Sequence, residues 1–185
     1  MKRRRNDTLT GGTRDVSPQL LTVRVTQSAA DTATTGTLAI PVQRLPTGNM
    51  AQVMEILKVY IVTTTLPVSA SVAETSDTIS VFISTSNFGA TATAFNEPRV
   101  FAGYIVSQDS AFTAGGTYMA KEHQMPYQLD LTDGAGHGVL IATDNIFIQV
   151  TSVLTGAANT ADVKFLYRWK NVALQEYIGI VQSQQ

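Results

Sequence analysis

Two kinds of residue cluster in this sequence carry chemical potential: runs of cations, and one loop that combines aspartate, glycine and histidine. Lys2, Arg3, Arg4 and Arg5 stand together at the start, with Arg14 shortly after, in a stretch that has no periodic apolar pattern. Such a flexible cluster suits phosphate neutralisation, because counterion release rewards charge without demanding a fixed geometry. It is expected to bind nucleic acid without strong sequence preference. The same run also fits a nuclear localisation signal or a solvated tail. Lys164, Arg168 and Lys170 form a second basic group, placed by strand alternation on one face, with Tyr167 and Trp169 pointing the opposite way. Leu166 shares the basic face and no stacking platform accompanies the cations, which favours a solvated strand face over a second nucleic-acid contact.

The histidines are His123 and His137. His137 lies in Asp130-Leu-Thr-Asp-Gly-Ala-Gly-His-Gly, which invites three readings. A metal site would take oxygen and imidazole ligands from Asp130, Asp133 and His137, but the spacing fits no established signature and further ligands are not identifiable. A phosphate loop would need GxxxxGK[ST], or a full GxGxxG leading into a helix. The structural reading is preferred: Gly134, Gly136 and Gly138 supply positive φ or close backbone approach between two strands, with His137 incidental. No nucleophile elbow of the GxSxG kind is present, and the 14 acids are scattered. No catalytic residue, metal or cofactor is expected.

The elements around these groups read as strands. Leu20 to Thr26, Thr35 to Val42, Thr78 to Ser84, Val100 to Val106, Thr117 to Met119, Tyr127 to Leu131, Val139 to Ala142, Ile146 to Val153 and Val163 to Trp169 combine β-branched or alternating residues with Gly, Pro or Asn punctuation. Residues 50–61 allow helical spacing through Met50, Val53, Met54, Leu57 and Ile61. The run ends in Val59-Tyr-Ile-Val-Thr-Thr-Thr, however, whose crowded β-branched side chains disfavour helix, so a long strand is expected. A final strand is expected over Glu176 to Val181. Eight to ten short strands with no long helix describe an all-β sandwich or barrel.

With 185 residues the chain fits one domain able to bury its own core. The expected division is an arm over residues 1–18 and a folded domain over 19–185. Charged residues make up 15%, well below the roughly 25% usual for a soluble domain, so much of the surface must be uncharged. Residues 1–15 carry five bases against Asp7 and Asp15; since the whole chain is at -1, a basic tail precedes an acidic body. The absence of cysteine excludes disulfides and thiolate metal sites. No apolar stretch reaches the roughly 18 residues of a membrane span, and the polar segment after the basic start is not that of a signal peptide, so no membrane partner is expected.

Several segments resemble the coat proteins of small circular single-stranded DNA viruses that encode a rolling-circle replication protein, the circovirus-like CRESS-DNA viruses. They are Leu9-Thr-Gly-Gly-Thr, PVQRLPTGNMAQVMEILKVY (41–60), ISTSNFGATATAFNEP (83–98), DLTDGAGHGVLIATDNIFIQV (130–150) and LYRWKNVALQEYIGIVQSQQ (166–185), the last two being the most specific. The resemblance implies a single jelly roll of two four-stranded antiparallel sheets with a flexible basic N-terminal arm. It further implies self-assembly of around 60 copies into an icosahedral (T=1) virion, with the arm facing a single-stranded DNA genome, a host receptor outside and passage through the host nucleus. The arm is shorter than in typical circoviral coats. About four arm charges on each of roughly 60 copies would meet on the order of 1,000 phosphates, so the arm alone cannot neutralise a genome. The alternative reading is a non-viral β-sandwich binding module, for instance one for carbohydrate.

Overall fold

The computed structural model describes residues 17–40, 50–64, 75–110 and 127–184. Lys2, Arg3, Arg4, Arg5, Arg14 and His123, and the strand expected over Thr117 to Met119, lie outside the described residues. Nine strands and one helix follow along the chain: β1 (Gln19–Thr26), β2 (Thr34–Ala39), β3 (Met50–Thr63), β4 (Thr75–Ser84), β5 (Val100–Ser110), β6 (Tyr127–Asp130), β7 (Val139–Ile141), β8 (Asn145–Val153), β9 (Thr160–Ala173) and α1 (Leu174–Gln184).

Alternation decides which side chains meet between the sheets. Val163, Phe165 and Tyr167 of β9, Ile79, Val81 and Ile83 of β4, and Ile146, Ile148 and Val150 of β8 all point inward and are buried. The β-branched side chains pack well on these pleated faces and lose little rotamer freedom there. One sheet runs β1-β9-β3, with β6 and β7 both paired to the far edge of β3; the other runs β2-β8-β4-β5, and every pairing is antiparallel. This is the wrapped strand order of a jelly roll, in which the chain repeatedly crosses from one sheet to the other. The first sheet therefore has five strands where four are expected. The lane beside β3 is split into two short strands because the Asp130–Gly138 loop bulges out between them. The Gly138 backbone runs so close to β3 that an added Cβ would lie 2.1 Å from the Ile56 carbonyl oxygen.

β3 is the ambiguous segment, and it is a strand throughout. A bulge sits at Leu57, where the register with β9 shifts between Ile56 and Lys58. Met54 and Ile56 face the core before it, Val59 and Ile61 after it. Ala51 and Val53 face the other way, yet they too are buried.

What covers them corrects the expected final strand. Residues 174–184 are helical, and Tyr177, Ile180 and Val181, spaced three and four apart, pack on Ala51, Val53, Ala142 and Val172. Strand alternation would pair Ile178 with Ile180, but Ile178 lies on the solvent side, 48% exposed. The Gln184 side chain ties the helix end to β7: its amide nitrogen donates to the Leu140 carbonyl at 2.6 Å, and its oxygen accepts from the Ala142 N–H at 3.0 Å.

Phe165 is fully buried, whereas Trp169 is half-buried, packed against the core rim and edge-on to Tyr167 at a ring separation of 5.9 Å. Phe165→Ala is expected to cost about 3 to 5 kcal/mol and Trp169→Ala distinctly less, as read from urea unfolding. The reverse order would contradict the deeper burial of Phe165.

Candidate functional site

Cations on a strand face need no specific partner to stay there, but a carboxylate beneath them changes what they can do. Glu55 sits on the outward face of β3, completely buried, in register with Arg168 of β9 on one side and Leu140 of β7 on the other. Arg168 donates from Nε to Glu55 Oε2, and the Lys170 Nζ lies 3.6 Å from Oε1. The Gly138 N–H donates to the same Oε1 at 3.1 Å, and His137 Nδ1 stands 3.9 Å from it. A second Arg168 nitrogen, Nη2, donates to the Gly136 carbonyl at 3.3 Å. Two sequence features that look independent, the basic strand face and the Asp/Gly/His loop, thus meet on one acid.

The electrostatics follow from opposing contributions. Burial by itself would push the Glu55 carboxyl up; the Arg168 hydrogen bond, the Gly138 N–H and the charges of Lys170 and Arg168 outweigh it and hold the carboxyl below its ordinary value. Glu55 is therefore ionised, and two bases share one acid. Lys164, the third member of the expected patch, lies further along the face beyond Leu166; it is exposed and has no ion-pair partner among the described residues. The patch is accordingly one free lysine and one arginine–lysine pair already engaged.

The loop itself is built by short-range hydrogen bonds. Asp130 accepts from the Thr132 hydroxyl at 2.6 Å and the Thr132 N–H at 3.0 Å, and pairs with Lys58 at 2.9 Å. The Thr132 hydroxyl, then Lys58, lower its carboxyl to about 2. Asp133 Oδ1 accepts from the Ala135 and His137 N–H groups at 2.9 and 2.8 Å. Both carboxylates thus serve turn geometry. Gly136 adopts φ +82 and Gly138 makes the close approach to Ile56, which accounts for two of the three glycines; Gly134 has open space around its Cα and an ordinary φ. The His137 ring is more than half exposed and only borders the buried acid, at 3.9 Å from Glu55 Oε1.

Further along the same outward face lies a shallow groove. Leu20 and Val62, 61% and 40% exposed, form its apolar floor with Tyr60 and Thr22. Arg24 and Asp162 bridge it through two hydrogen bonds of 2.6 and 2.8 Å, and Lys164 closes one side. An exposed pair of this kind contributes little to stability.

The sequence matches no protein-family model and no curated protein. Among solved structures the chain is similar to apo New Jersey polyomavirus VP1, with a TM-score of 0.53 at 8% identity over 85% of this chain and 100% of that one. It is similar also to Merkel cell polyomavirus VP1 in complex with 3'-sialyllactosamine (TM-score 0.51, 8% identity, 87% and 97% covered). A third is trichodysplasia spinulosa-associated polyomavirus VP1 in complex with GM1 oligosaccharide (TM-score 0.50, 8% identity, 88% and 96% covered). At such identity the likeness is one of fold: two antiparallel sheets in jelly-roll order.

Glu55 carries no obvious sequence motif; its signal is a lone acid inside Ala51-Gln-Val-Met-Glu-Ile-Leu, a run otherwise too apolar for one exposed face. Glu55→Gln is expected to destabilise the subunit by about 2 to 3 kcal/mol, below the 3 to 5 of a fully enclosed pair because Arg168 and Lys170 reach solvent. In a chain of this size that lowers Tm by roughly 5 to 10 °C. A depressed carboxyl stabilises above the unfolded-state value of about 4.3 and loses that contribution as pH falls through its folded value. The difference in Tm between Glu55 and its glutamine variant should therefore shrink steadily below about pH 4.3. A gap that stayed constant down to pH 2 would show that Glu55 titrates elsewhere.

Proposed function

We propose that this chain is the coat protein of a small circular single-stranded DNA virus, assembling around 60 copies into an icosahedral shell with the N-terminal arm turned towards the genome. The observation that carries the reading is the jelly-roll strand order, shared over most of the chain with VP1, the capsid protein of polyomaviruses. The circovirus-like segments, the low-charge surface and the basic start support it independently. A sparsely charged exterior lowers the desolvation cost of subunit contacts, and heterologous contacts between identical copies close with symmetry.

The division of labour among cations follows from their environments. Lys2, Arg3, Arg4, Arg5 and Arg14 supply sequence-independent phosphate contact, because an arm can follow a disordered polyanion. Lys164 adds one free charge on the outer sheet face, while Arg168 and Lys170 are largely reserved for Glu55. Virion location and transit through the host nucleus accompany this reading. The binding-module alternative needs an exposed aromatic platform. Tyr104 and Tyr127 instead stack on each other at 4.7 Å, and Trp169 packs against the core rim.

Negative-stain microscopy of purified protein is expected to show closed particles of uniform size; monomers alone across a range of salt and pH would overturn the proposal. Removing residues 2–5 should lower the nucleic-acid content of those particles, read from the ratio of absorbance at 260 and 280 nm, while leaving the subunit melting curve unchanged. Particles with undiminished nucleic acid would assign packaging to other cations.

A further inference from the structure

The open groove on the outer face of β1, β9 and β3 is assembled by register. Thr22, Lys164 and Tyr60 are cross-strand partners in one row, and Arg24, Asp162 and Val62 are partners in the next. Alternation turns all six outwards, because the residues between them, Val23, Val163 and Ile61, are the ones that pack into the core. Side chains directly opposite each other on one face lie within reach of a common ligand. Along β9 itself Lys164 has no aromatic companion on its face, and β3 supplies one in Tyr60, whose ring is part-exposed. The space above this row is about 620 Å³, and a second depression of about 290 Å³ adjoins it across the Arg24–Asp162 bridge, edged by Thr64 and Thr160. The larger space is in the range that holds a small organic group.

Charge selects the class of ligand. Two bases, Arg24 and Lys164, against one acid, Asp162, leave the groove positive by one charge, on a body that is otherwise acidic. Asp162 is already held by Arg24 through two hydrogen bonds, whereas Lys164 is exposed and has no ion-pair partner among the described residues. Arg24 spends Nε and Nη2 on that acid, and its planar fork keeps further N–H donors for an acceptor on the open side. An aromatic ring beside a free cation, between the exposed apolar side chains of Leu20 and Val62, combines the two things that single-strand binding without sequence preference requires: a stacking surface and a phosphate contact.

We propose that this groove holds an unpaired nucleobase and its phosphate, so that single-stranded nucleic acid is bound by the sheet as well as by the arm. The base stacks on Tyr60 between Leu20 and Val62, and Lys164 neutralises the phosphate, with Arg24 as a second donor on the far side. That the strand is a viral genome rests on the coat-protein reading; the binding itself does not. The site differs in kind from the arm. Residues 1–18 contain no aromatic side chain, so they sense phosphate charge alone, whereas a stacking ring also senses whether a base is present.

The test is fluorescence anisotropy of the full-length protein with a labelled short oligothymidylate and with an abasic strand of the same length, which keeps the phosphates and lacks the bases. The wild type is expected to bind the oligothymidylate roughly tenfold more tightly than the abasic strand. Tyr60→Leu, which keeps an apolar floor and removes the ring, should bind both strands alike, and Tyr60→Phe should retain the preference. Lys164→Ala should weaken both strands equally and reduce the slope of log affinity against log salt by about 0.7, the share of one phosphate contact on a single strand. A wild type indifferent to the bases would overturn the proposal and leave the groove to a protein contact. A preference that survives in Tyr60→Leu, or is lost in Tyr60→Phe, would overturn it by moving the stacking elsewhere, and an unchanged salt slope in Lys164→Ala would remove the phosphate contact on which it depends. Microscopy of the same samples separates the two readings: particles without base preference strike the groove alone, and base preference without particles strikes the coat-protein reading alone.

Discussion

The pairing of β3 with β9 is the constraint on which the remaining architecture rests. It runs from Met50 opposite Ala173 to Thr63 opposite Ala161, and both strands lie in the middle of their sheet. Between Ala51 and Leu57, β3 is covered on both faces, by the second sheet on one and by α1 and the Gly-rich loop on the other. That double burial permits an almost unbroken apolar run and forbids any polar side chain without a partner. Glu55 is the exception that the run contains, and its solution is local: the register sets Arg168 directly across from it. A shift of one residue in that register would send Arg168 into the core and leave the acid uncompensated, so the ion pair specifies the alignment more than it adds to stability.

The same carboxylate organises the outer face of the five-stranded sheet into three zones. Beyond Val53 the face is apolar and roofed by the helix. Around Glu55 it is ionic and half-roofed by the 130–138 loop, whose N–H at Gly138 and carbonyl at Gly136 engage Glu55 and Arg168. Towards Leu20 and Val62 it is open. On the other sheet a comparable role falls to Gln149, buried on the outward face of β8. Its amide donates to the Gly89 and Thr91 carbonyls and its oxygen accepts from the Thr93 N–H, pinning the segment between β4 and β5 over that face. Phe82, outward-facing on β4, is buried in consequence, and Phe95 lies against Gly103.

Strands with clean alternation were readable from sequence almost residue by residue: β4 through Ile79, Val81 and Ile83, and β9 through Val163, Phe165 and Tyr167. The opposition of Lys164, Arg168 and Lys170 to the aromatics was readable for the same reason. β3 resisted because burial on both faces erases the period of two that marks a strand. The C-terminal segment misled because Tyr177-Ile-Gly-Ile-Val is rich in β-branched residues, and only the apolar stripe of the sheet beneath it selects the helical spacing. Of the candidate site, the loop and the basic face could each be seen. Their meeting at Glu55 could not, since it depends on strands more than a hundred residues apart.

β9 stands between β1 and β3, yet it is the last of the described strands along the chain. Gln19 is in register with Tyr167. Until β9 is in place β1 and β3 have no common neighbour, and one sheet of the sandwich stays open. Closure of the sheet therefore joins segments far apart in the sequence, with a loop-entropy cost, and folding should be slow for a domain of this size. Before β9 docks, β1 and β3 each lack the neighbour that their whole length pairs with, and the inward faces of both stay open to water.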